Sequence, residues 1–415
     1  MAADGADPKL HVLYVHQSFP AQFGHIAGYL VRELGWRCTF VSQREAGEVA
    51  GIRVIEYETR GGATERTHYF SRSFENAVWH AAGVYEALKP VSDSLEPDLI
   101  VGHSGFGSTV FLPELFPDVP VVNQFEYFYR GHGSDLDFRP EWPVGEEDVL
   151  RTRTRNAMVL LDLEYCTAGY SPTRFQYDLL PAVYQPKVEV IHDGIDTSFW
   201  RRRQVDPKLR QSLGLLPGGP VVTYVSRGLE AIRGFDIFMR MAKRVYEAHP
   251  EVTFLVIGAD RVAYGGDLRL IEETSFKEHV LNQDDYDLER IRFLGNVRPE
   301  VLVQILSLSD LHVYLTVPFV LSWSVLNAMA CECVVLGSDT APVREVIEQG
   351  ENGLLRGFFD VDGLAEAAVE VLEDPDSHRR LGEAARRTIE QRYGLDAVMP
   401  RMLDLYRSVA PALSS

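Results

Sequence analysis

The chain has 415 residues, a formal net charge of -19 at pH 7 and a hydrophobic fraction of 46%. Its length predicts two domains, its hydrophobic content argues against a disordered or fibrous protein, and its 4 irregularly spaced cysteines argue against a disulfide framework or a zinc cluster. The acidic charge disfavours nucleic acid or an anionic membrane surface as a partner, and without a long apolar run or a basic signal region we expect a cytoplasmic protein.

The front half begins with alternating strand and helix patterns. A strand over residues 11–15 is followed by a loop that reaches Gly24 at the start of a helix. Because Gly24 has no side chain, a ligand could approach the backbone closely there. Short strands at residues 38–42 and 54–57 and a helix over residues 74–88 follow. No G-x-G-x-x-G fingerprint follows the first strand, which argues against an NAD or FAD enzyme.

His103 comes directly after the next predicted strand, residues 98–102, and glycines follow it in the loop. The carboxyl ends of parallel strands form the edge at which open α/β sheets bind ligands. His103 is therefore a candidate for contact with substrate. A histidine with a purely structural role explains the same pattern equally well.

A run of aromatic residues follows the strand at residues 119–123. Aromatic faces bind sugars and cations, and these aromatics alternate with charged side chains at the same predicted edge of the sheet. They form a candidate acceptor pocket, although aromatic runs are more often typical of a hydrophobic core. The candidate residues are Phe125, Glu126, Tyr127, Tyr129 and Arg130.

Asp135 and Asp137 form an Asp-x-Asp pattern that could hold a metal-bound diphosphate. Two carboxylates in a loop that contains proline are usually only solvated. We therefore predict no metal site.

The domain boundary is predicted where the helical pattern is interrupted. A long helix is expected over residues 147–166, and prolines then break the pattern before a strand that starts at Val188. We assign residues 1–187 to the first domain, residues 188–394 to the second and residues 395–415 to a final helix.

In the back half, a strand rich in β-branched residues at 221–226 delivers Arg227 and Arg233 around a turn that contains glycines. Two guanidinium groups near a flexible turn provide the fixed positive charge and forked donors that a diphosphate requires. Solvated surface arginines are the alternative interpretation.

Residues 318–346 read as a turn, a helix, a strand and a second helix, directly after a strand at residues 311–315. The turn runs through Ser322, Trp323 and Ser324, and the first of these helices would follow it from about Val325. Backbone N–H groups and the helix dipole at such a start favour an anion. An ordinary crossover of an α/β protein explains the same pattern. Strands and helices alternate through both halves, so we predict an α/β fold with two parallel sheets that face each other across a cleft.

Several motifs of the back half occur together in an order that resembles the retaining glycosyltransferases of family 4. The resemblance covers nearly the whole chain and is weaker in the front half. Its motifs are His-Asp-Gly-Ile-Asp (192–196), Ser-Arg-Gly (226–228), Arg-Gly (233–234), Phe-Leu-Gly-Asn-Val (293–297), Ser-Trp-Ser-Val-Leu-Asn-Ala-Met-Ala-Cys (322–331), Gly-Ser-Asp-Thr-Ala-Pro-Val-Arg-Glu (337–345) and Glu-Asn-Gly-Leu-Leu (351–355).

This resemblance implies the GT-B architecture: two Rossmann-like domains, with the acceptor bound mainly by the first and the nucleotide sugar mainly by the second. It implies that the final helix crosses back to the first domain. Arg227 and Arg233 would hold the donor diphosphate, with Arg233 where the family usually has lysine. Backbone groups of Asn296 and Val297 would meet the base. Backbone N–H groups of Ser322, Trp323 and Ser324 would bind the distal phosphate, and Gly24 would approach the phosphates.

Two departures from the family pattern concern the donor site. The family typically has two glutamates separated by seven residues, and these positions are Phe319 and Asn327 here. Asparagine can still accept a hydrogen bond from ribose, whereas phenylalanine cannot accept one from a sugar. The donor sugar is then unusual or is oriented by other groups such as His103.

We therefore expect a retaining glycosyltransferase that needs no cofactor and uses a UDP- or GDP-linked sugar, with His103, Arg227 and Arg233 as catalytic residues. Its acceptor would be a small molecule, with a thiol or a cation in natural-product biosynthesis as two options. A sugar-nucleotide epimerase, a phosphorylase and a catalytically silent nucleotide-sugar-binding protein are the alternatives. The sequence does not determine the oligomeric state, and a homodimer is one option.

Overall fold

The computed structural model of the protein describes residues 9–45, 49 and 51–410. The chain divides into two compact units. Unit 1 contains Met1–Asp137, Pro143–Gly194 and Leu395–Ser415, as far as these are described, and unit 2 contains Phe138–Trp142 and Ile195–Gly394.

Unit 1 is built on a parallel sheet with the strand order β5-β3-β1-β6-β7-β8-β9 in the described residues. The central strand β1 has five buried residues and is apolar on both faces, as expected when helices cover both sides, whereas the edge strands β5 and β9 are partly exposed. Two further short strands, β2 and β4, pair with each other. The strands are β1 (His11–Val15), β2 (Ser18–Phe19), β3 (Arg37–Ser42), β4 (Arg44–Glu45), β5 (Ile52–Glu56), β6 (Leu99–His103), β7 (Val121–Gln124), β8 (Ala168–Ser171) and β9 (Val188–Val190).

Helices cover both faces of the unit 1 sheet. One hydrophobic cluster includes Leu30 and Tyr406, and the other includes Val84 and Leu163. The helices of the front half are α1 (Gly24–Leu34), α2 (Arg72–Leu88), α3 (Ser92–Leu95), α4 (Glu146–Arg155), α5 (Ala157–Tyr165) and α6 (Arg174–Asp178).

Unit 2 has a second parallel sheet, with the order β12-β11-β10-β13-β14-β15 in the described residues. The helix after β10 places Phe238, Met241 and Val245 in the core, so one apolar stripe at helical spacing packs on the sheet. The strands are β10 (Val221–Gly228), β11 (Thr253–Ala259), β12 (Ile291–Gly295), β13 (Leu311–Tyr314), β14 (Val335–Ser338) and β15 (Leu354–Arg356).

The remaining helices belong to unit 2, except the last, which belongs to unit 1. None of the described helices is both long enough and apolar enough to cross a membrane. The helices are α7 (Pro207–Ser212), α8 (Phe235–Ala248), α9 (Phe276–Gln283), α10 (Pro299–Leu308), α11 (Trp323–Ala330), α12 (Ala341–Arg344), α13 (Val361–Glu373), α14 (Pro375–Arg392) and α15 (Leu395–Val409).

The predicted α/β fold with two parallel sheets is confirmed. The first boundary, in contrast, lies between Gly194 and Ile195 rather than before Val188. The reason is that β9 pairs with β8 through Gly169–Val188 and Ser171–Val190, which makes β9 the last strand of the unit 1 sheet.

The long helix predicted over residues 147–166 is interrupted at Asn156. The Asn156 side chain accepts from the Tyr129 backbone N–H at 2.9 Å and donates to the Tyr129 carbonyl at 2.8 Å. A side chain that bonds backbone groups elsewhere competes with regular helix continuation. The break therefore anchors the aromatic run that follows β7.

Candidate functional site

The carboxyl ends of the unit 2 strands lie along one edge of the sheet because all of these strands are parallel. Arg227 is exposed at the end of β10, and Asn296 is exposed just after β12. Val297 is half-buried and packs against the apolar cluster of α10. This is the edge at which sheets of this type bind ligands.

Arg233 lies at this edge in a single turn of 3-10 helix, Ala231–Arg233, and is only 4% exposed. Its Nη1 donates to Tyr314 Oη at 3.2 Å, Thr316 Oγ1 at 2.9 Å and the Val320 carbonyl at 3.0 Å. These bonds anchor a buried guanidinium group and keep its charge at a fixed position.

The two arginines are connected by Tyr264, which the sequence did not single out. The guanidinium carbon of Arg227 lies 5.8 Å from the centre of the Tyr264 ring, and that of Arg233 lies 5.5 Å from it. Arg233 also lies 5.6 Å from the Phe319 ring, and the Tyr264 and Phe319 rings are 5.7 Å apart. Phe319 therefore packs against the arginine and the tyrosine, a role that its apolar ring can perform without a hydrogen bond.

The loop that carries Tyr264 is held by Glu230, whose side chain is completely buried. One carboxylate oxygen of Glu230 accepts from the backbone N–H groups of Ala263, Tyr264 and Gly265 at 2.9, 2.9 and 3.1 Å. These three backbone donors offset the cost of burying that carboxylate oxygen away from water. Because Glu230 comes directly before the Arg233 turn, the two loops are fixed to each other.

The start of α11 requires a correction to the predicted phosphate site. The Ser322 backbone N–H donates to Tyr314 Oη at 2.9 Å, and the Ser324 N–H donates to Ser322 Oγ at 3.2 Å, because Ser322 is the N-cap residue. Two of the three predicted N–H groups are thus engaged within the protein. Ser322 and Ser324, whose hydroxyls are joined by a hydrogen bond of 3.0 Å, line a narrow recess together with Arg233.

Asn327 lies on the second turn of α11 and is 7% exposed. Its Oδ1 atom is buried and has no hydrogen-bond partner among the described residues. A buried polar atom in this state carries a desolvation cost that a ligand hydroxyl could offset. Asn327 Oδ1 is therefore available to accept a hydrogen bond from a ligand hydroxyl.

Gly24 begins α1 in unit 1. A Cβ atom at Gly24 would lie 2.7 Å from the Pro20 Cβ, so local packing already requires a glycine at this position. This packing explains the residue without a ligand.

Unit 1 contains a cavity of about 370 Å³. Four of the predicted residues, His103, Glu126, Tyr127 and Tyr129, line it. Among the lining residues that the sequence missed, Asn76, His80 and Arg155 carry polar or charged side chains from helices. The contact of these helices with this edge is not visible in a linear pattern.

His103 ends β6 and is 3% exposed. Its Nε2 atom lies 3.5 Å from Glu126 Oε2, and its Nδ1 atom is buried without a hydrogen-bond partner among the described residues. His80, across the cavity lining, has its Nδ1 atom 3.0 Å from Tyr57 Oη, and burial lowers the pKa of His80. The cavity thus contains an imidazole next to a carboxylate and a second, neutral imidazole.

The aromatic part of the cavity is shaped by charged neighbours. The guanidinium carbon of Arg155 lies 3.6 Å from the centre of the Tyr129 ring. Tyr127 Oη donates to Asp135 Oδ1 at 2.7 Å, and burial raises the pKa of Asp135. Asp137 accepts from the Gly133 and Ser134 backbone N–H groups at 2.8 and 3.0 Å. Both carboxylates of the Asp-x-Asp pattern are therefore used inside their own loop.

Two residues predicted for the acceptor pocket lie elsewhere. Phe125 is 1% exposed and belongs to the hydrophobic cluster beneath the sheet, where it fills the space left by Gly169. Arg130 is exposed and donates from Nη2 to the Leu179 carbonyl at 2.8 Å. Neither residue lines the cavity, because the irregular chain after β7 directs Phe125 into the core and Arg130 toward the Leu179 carbonyl.

The loop after His103 is held by Asp162 of α5. The carboxylate oxygen Oδ2 accepts from Ser104 Oγ at 2.9 Å and from the Gly105 N–H at 2.8 Å. Burial raises the pKa of Asp162 to about 6, although these two hydrogen bonds oppose the shift.

We expect Asp162→Asn to change how stability depends on pH. A folded-state pKa raised from 3.8 to about 6 means that the folded protein holds the Asp162 proton more tightly than the unfolded chain. The contribution of Asp162 to the free energy of unfolding therefore falls as the pH rises from about 4 to about 6 and is constant above that, by about 3 kcal/mol at most.

Urea unfolding of the two proteins at pH 4.5, 5.5 and 7 measures this contribution as a difference. The stability of the asparagine variant relative to the wild type should increase across this range. The same substitution at the exposed Asp118 is the control and should show no such trend. A difference at Asp162 that is independent of pH would contradict the expectation.

Two family models match the chain, one to each half. The model described as glycosyl transferase family 4 group matches residues 34–200, and the model described as glycosyl transferases group 1 matches residues 205–388. Among curated relatives, the N-acetyl-alpha-D-glucosaminyl L-malate synthase of Bacillus anthracis is 24% identical, over 54% of this chain and 54% of that protein. The alpha-D-kanosaminyltransferase of Streptomyces kanamyceticus is 24% identical, over 49% of each chain.

The match spans about half the length of these curated relatives. Solved structures match over nearly the whole chain. Sucrose-phosphate synthase from Thermosynechococcus elongatus has a TM-score of 0.74 at 19% identity, covering 98% of this chain and 100% of that one. Anabaena HepE in complex with UDP and glucose has a TM-score of 0.67 at 17% identity, covering 96% of this chain and 100% of that one. At these identities the structural likeness concerns the fold.

Proposed function

Because the chain belongs to the family 4 type of glycosyltransferases with GT-B architecture, we propose that it transfers a glycosyl group from a nucleoside diphosphate sugar to a small acceptor. The observation that carries this proposal is the buried Arg233, which lies with Ser322 and Ser324 around a narrow recess of unit 2 that would widen to admit a phosphate. A buried, anchored cation beside two hydroxyl groups suits the phosphates of a nucleotide sugar.

In this proposal, the two arginines have different roles. Arg233 provides fixed positive charge at the base of the recess, and Arg227 provides exposed charge at the end of β10. Both charges would stabilise the diphosphate as it leaves, without a metal ion. The Ser322 hydroxyl would donate to the phosphate in place of the engaged backbone N–H groups. The Ser324 hydroxyl, which donates to Ser322 Oγ at 3.0 Å, would exchange that bond for one to the phosphate. Asn327 Oδ1, which is buried and unpartnered among the described residues, would accept from a ribose hydroxyl.

We propose transfer with retention at the anomeric carbon. The bond from that carbon to the diphosphate oxygen breaks, the bond to the acceptor heteroatom forms on the same face, and the acceptor proton goes to the leaving phosphate. No pair of carboxylates at a recognisable spacing marks a protein nucleophile, which supports direct transfer over a covalent intermediate. The charged diphosphate is then the group that the protein has to stabilise.

The unit 1 cavity is the proposed acceptor site. Its volume of about 370 Å³ is at the small end of ligand pockets and suits one small molecule. Glu126 supports a cationic acceptor. Arg155 opposes one, because it covers the Tyr129 ring on which such a cation would pack. The alpha-D-kanosaminyltransferase among the relatives supports an acceptor in natural-product biosynthesis.

The proposal is tested with a panel of UDP- and GDP-linked sugars, alone and with small acceptors, and with mass spectrometry of bound and released products. We expect one nucleotide sugar to bind and free nucleoside diphosphate to appear only when an acceptor is present. Conversion of the donor without an acceptor would indicate an epimerase. Tight donor binding without transfer to any acceptor would indicate a silent binding protein, which the replacement of both family glutamates would explain.

Glu126→Gln then tests the cationic acceptor. If this substitution does not change the affinity for the acceptor, the cationic acceptor loses its support.

A further inference from the structure

The segment Phe138–Trp142 belongs to unit 2, although the chain on either side of it belongs to unit 1. Two of its aromatic rings hold it there. The Phe138 ring centre lies 5.4 Å from that of Phe358, and the Trp142 ring centre lies 5.7 Å from that of Phe276. The segment therefore packs as an integral part of the unit that carries the arginine turn.

Arg139 is the centre of this segment and is 5% exposed. It forms a bidentate ion pair with Asp236, in which Nη1 donates to Oδ1 at 3.0 Å and Nη2 donates to Oδ2 at 2.6 Å. Nη1 also donates to the Ala231 carbonyl at 2.8 Å, and Nη2 donates to Glu141 at 2.6 Å. The Trp142 ring lies 4.7 Å from its guanidinium carbon. Such a bidentate, stacked geometry is specific to arginine.

Two of the groups that Arg139 contacts, the Ala231 carbonyl and the Asp236 carboxylate, belong to residues on either side of Arg233. Ala231 begins the 3-10 turn that ends with Arg233, and Asp236 lies in the first turn of α8, three residues after it. The Ala231 carbonyl also accepts from the Gly234 N–H at 2.9 Å, which closes the turn. Because it is hydrogen-bonded to residues before and after Arg233, Arg139 fixes the backbone from which the Arg233 side chain extends.

Arg139 itself is not suited to bind the donor. Its charge is paired with Asp236 and Glu141, and its donors point into these groups. Asp236 also pairs with Arg240 at 3.1 Å, so this carboxylate is shared by two arginines. The contribution of Arg139 to a ligand must therefore act through the turn.

We propose that Arg139 is a positioning residue for donor binding, which sets the turn that presents Arg233 to the diphosphate. This inference rests on the proposed function, in which Arg233 contacts the donor phosphates. A small displacement of a binding group is enough to weaken its contacts severely. The sequence gives no indication of this role, because Arg139 and Asp236 are 97 residues apart.

The test measures binding of UDP, GDP, ADP and dTDP to the whole protein by calorimetry, and uses the nucleotide that the wild type binds. Arg139→Met should weaken its affinity about tenfold, and Arg139→Lys should not restore it, because an ammonium group cannot bind both carboxylate oxygens in this geometry. Arg240→Ala is the matched control. It removes the other, half-exposed arginine from Asp236 and should leave the affinity within about twofold of the wild type.

A double-mutant cycle separates positioning from general stabilisation. If Arg139 acts through Arg233, the Arg139→Met/Arg233→Ala protein should bind the nucleotide no more weakly than Arg233→Ala alone. If Arg139→Met does not fold, Asp236→Asn is used in its place. It keeps the side-chain size but weakens the ion pair with Arg139, and it should reproduce the loss of affinity. Wild-type affinity in a folded Arg139→Met or Asp236→Asn protein, or additive losses in the cycle, would overturn the inference.

The failure of the proposed function is seen separately. If Arg233→Ala binds the nucleotide as tightly as the wild type, or if the wild type binds no member of the panel, the donor site itself is misassigned and the role of Arg139 falls with it. If Arg233→Ala weakens binding while Arg139→Met does not, only the positioning role is wrong.

Discussion

Arg233→Ala should reduce the rate of glycosyl transfer by about a hundredfold or more, the scale found when one preorganised group that stabilises developing charge is removed. Arg233 is the buried cation of the donor recess, and its Nη1 is fixed by Tyr314, Thr316 and the Val320 carbonyl. The loss should appear in kcat/KM for the donor. The substitution should also lower the free energy of unfolding by about 1–3 kcal/mol, because buried acceptors lose their donor.

Two variants separate the catalytic effect from the structural one. Arg227→Ala removes an exposed arginine from the same edge of the sheet, so it should lower turnover strongly while leaving stability nearly unchanged. Arg233→Lys keeps the charge and should retain more activity than alanine does. Unchanged turnover in both alanine variants would refute the assignment of a diphosphate site to these arginines.

Gly107→Ala should destabilise unit 1 by several kcal/mol and disrupt the acceptor cavity. Gly107 has a φ of +74°, a backbone conformation that residues with side chains rarely adopt. A Cβ atom at this position would lie 2.1 Å from the backbone carbonyl oxygen of Ala77 on α2. Because that partner is backbone, relief requires the His103 loop to move away from α2. Asn76, Ala77 and His80 of α2 line the cavity opposite this loop, so the cavity would open.

Thermal unfolding and acceptor KM measure the two consequences. The melting temperature should fall by several degrees and the acceptor KM should rise, whereas the donor affinity should stay near that of the wild type. Gly133→Ala is the control, since Gly133 also has a positive φ, of +63°, but a Cβ atom there would meet nothing within 4 Å. Equal losses in the two variants would show that backbone strain, rather than the contact with Ala77, controls the result.

Features that depend on neighbouring residues were accessible from the sequence. The strands at residues 11–15 and 221–226 were predicted because buried parallel strands are continuously apolar, and α11 was predicted from the turn that follows the strand at residues 311–315. His103 was placed at the end of β6 on the same grounds. In each case the signal is a local pattern of apolar residues, although the strands themselves pair with strands that are distant in the chain, as β1 does with β6 and β10 with β13.

The direction of side chains within an irregular segment was harder to predict from the sequence. The run after β7 was predicted to form one pocket, yet Phe125 points into the core and Arg130 to the Leu179 carbonyl. Without a regular period, alternation along the chain does not assign faces. The packing of this run against Gly169 and Asn156 decides which of its aromatic rings reach the cavity.

The sequence by itself determined the alternation of strands and helices, the parallel sheets, and the edge of each sheet where the two arginines and His103 lie, because apolar periodicity and capping are local properties. Only the tertiary structure decided what surrounds these residues. Tyr264 between the arginines, Arg155 on Tyr129, Asp162 beneath the His103 loop and Arg139 beside the Arg233 turn all come from distant parts of the chain. Such contacts are made by side chains that the topology brings together, and no spacing along the chain encodes them.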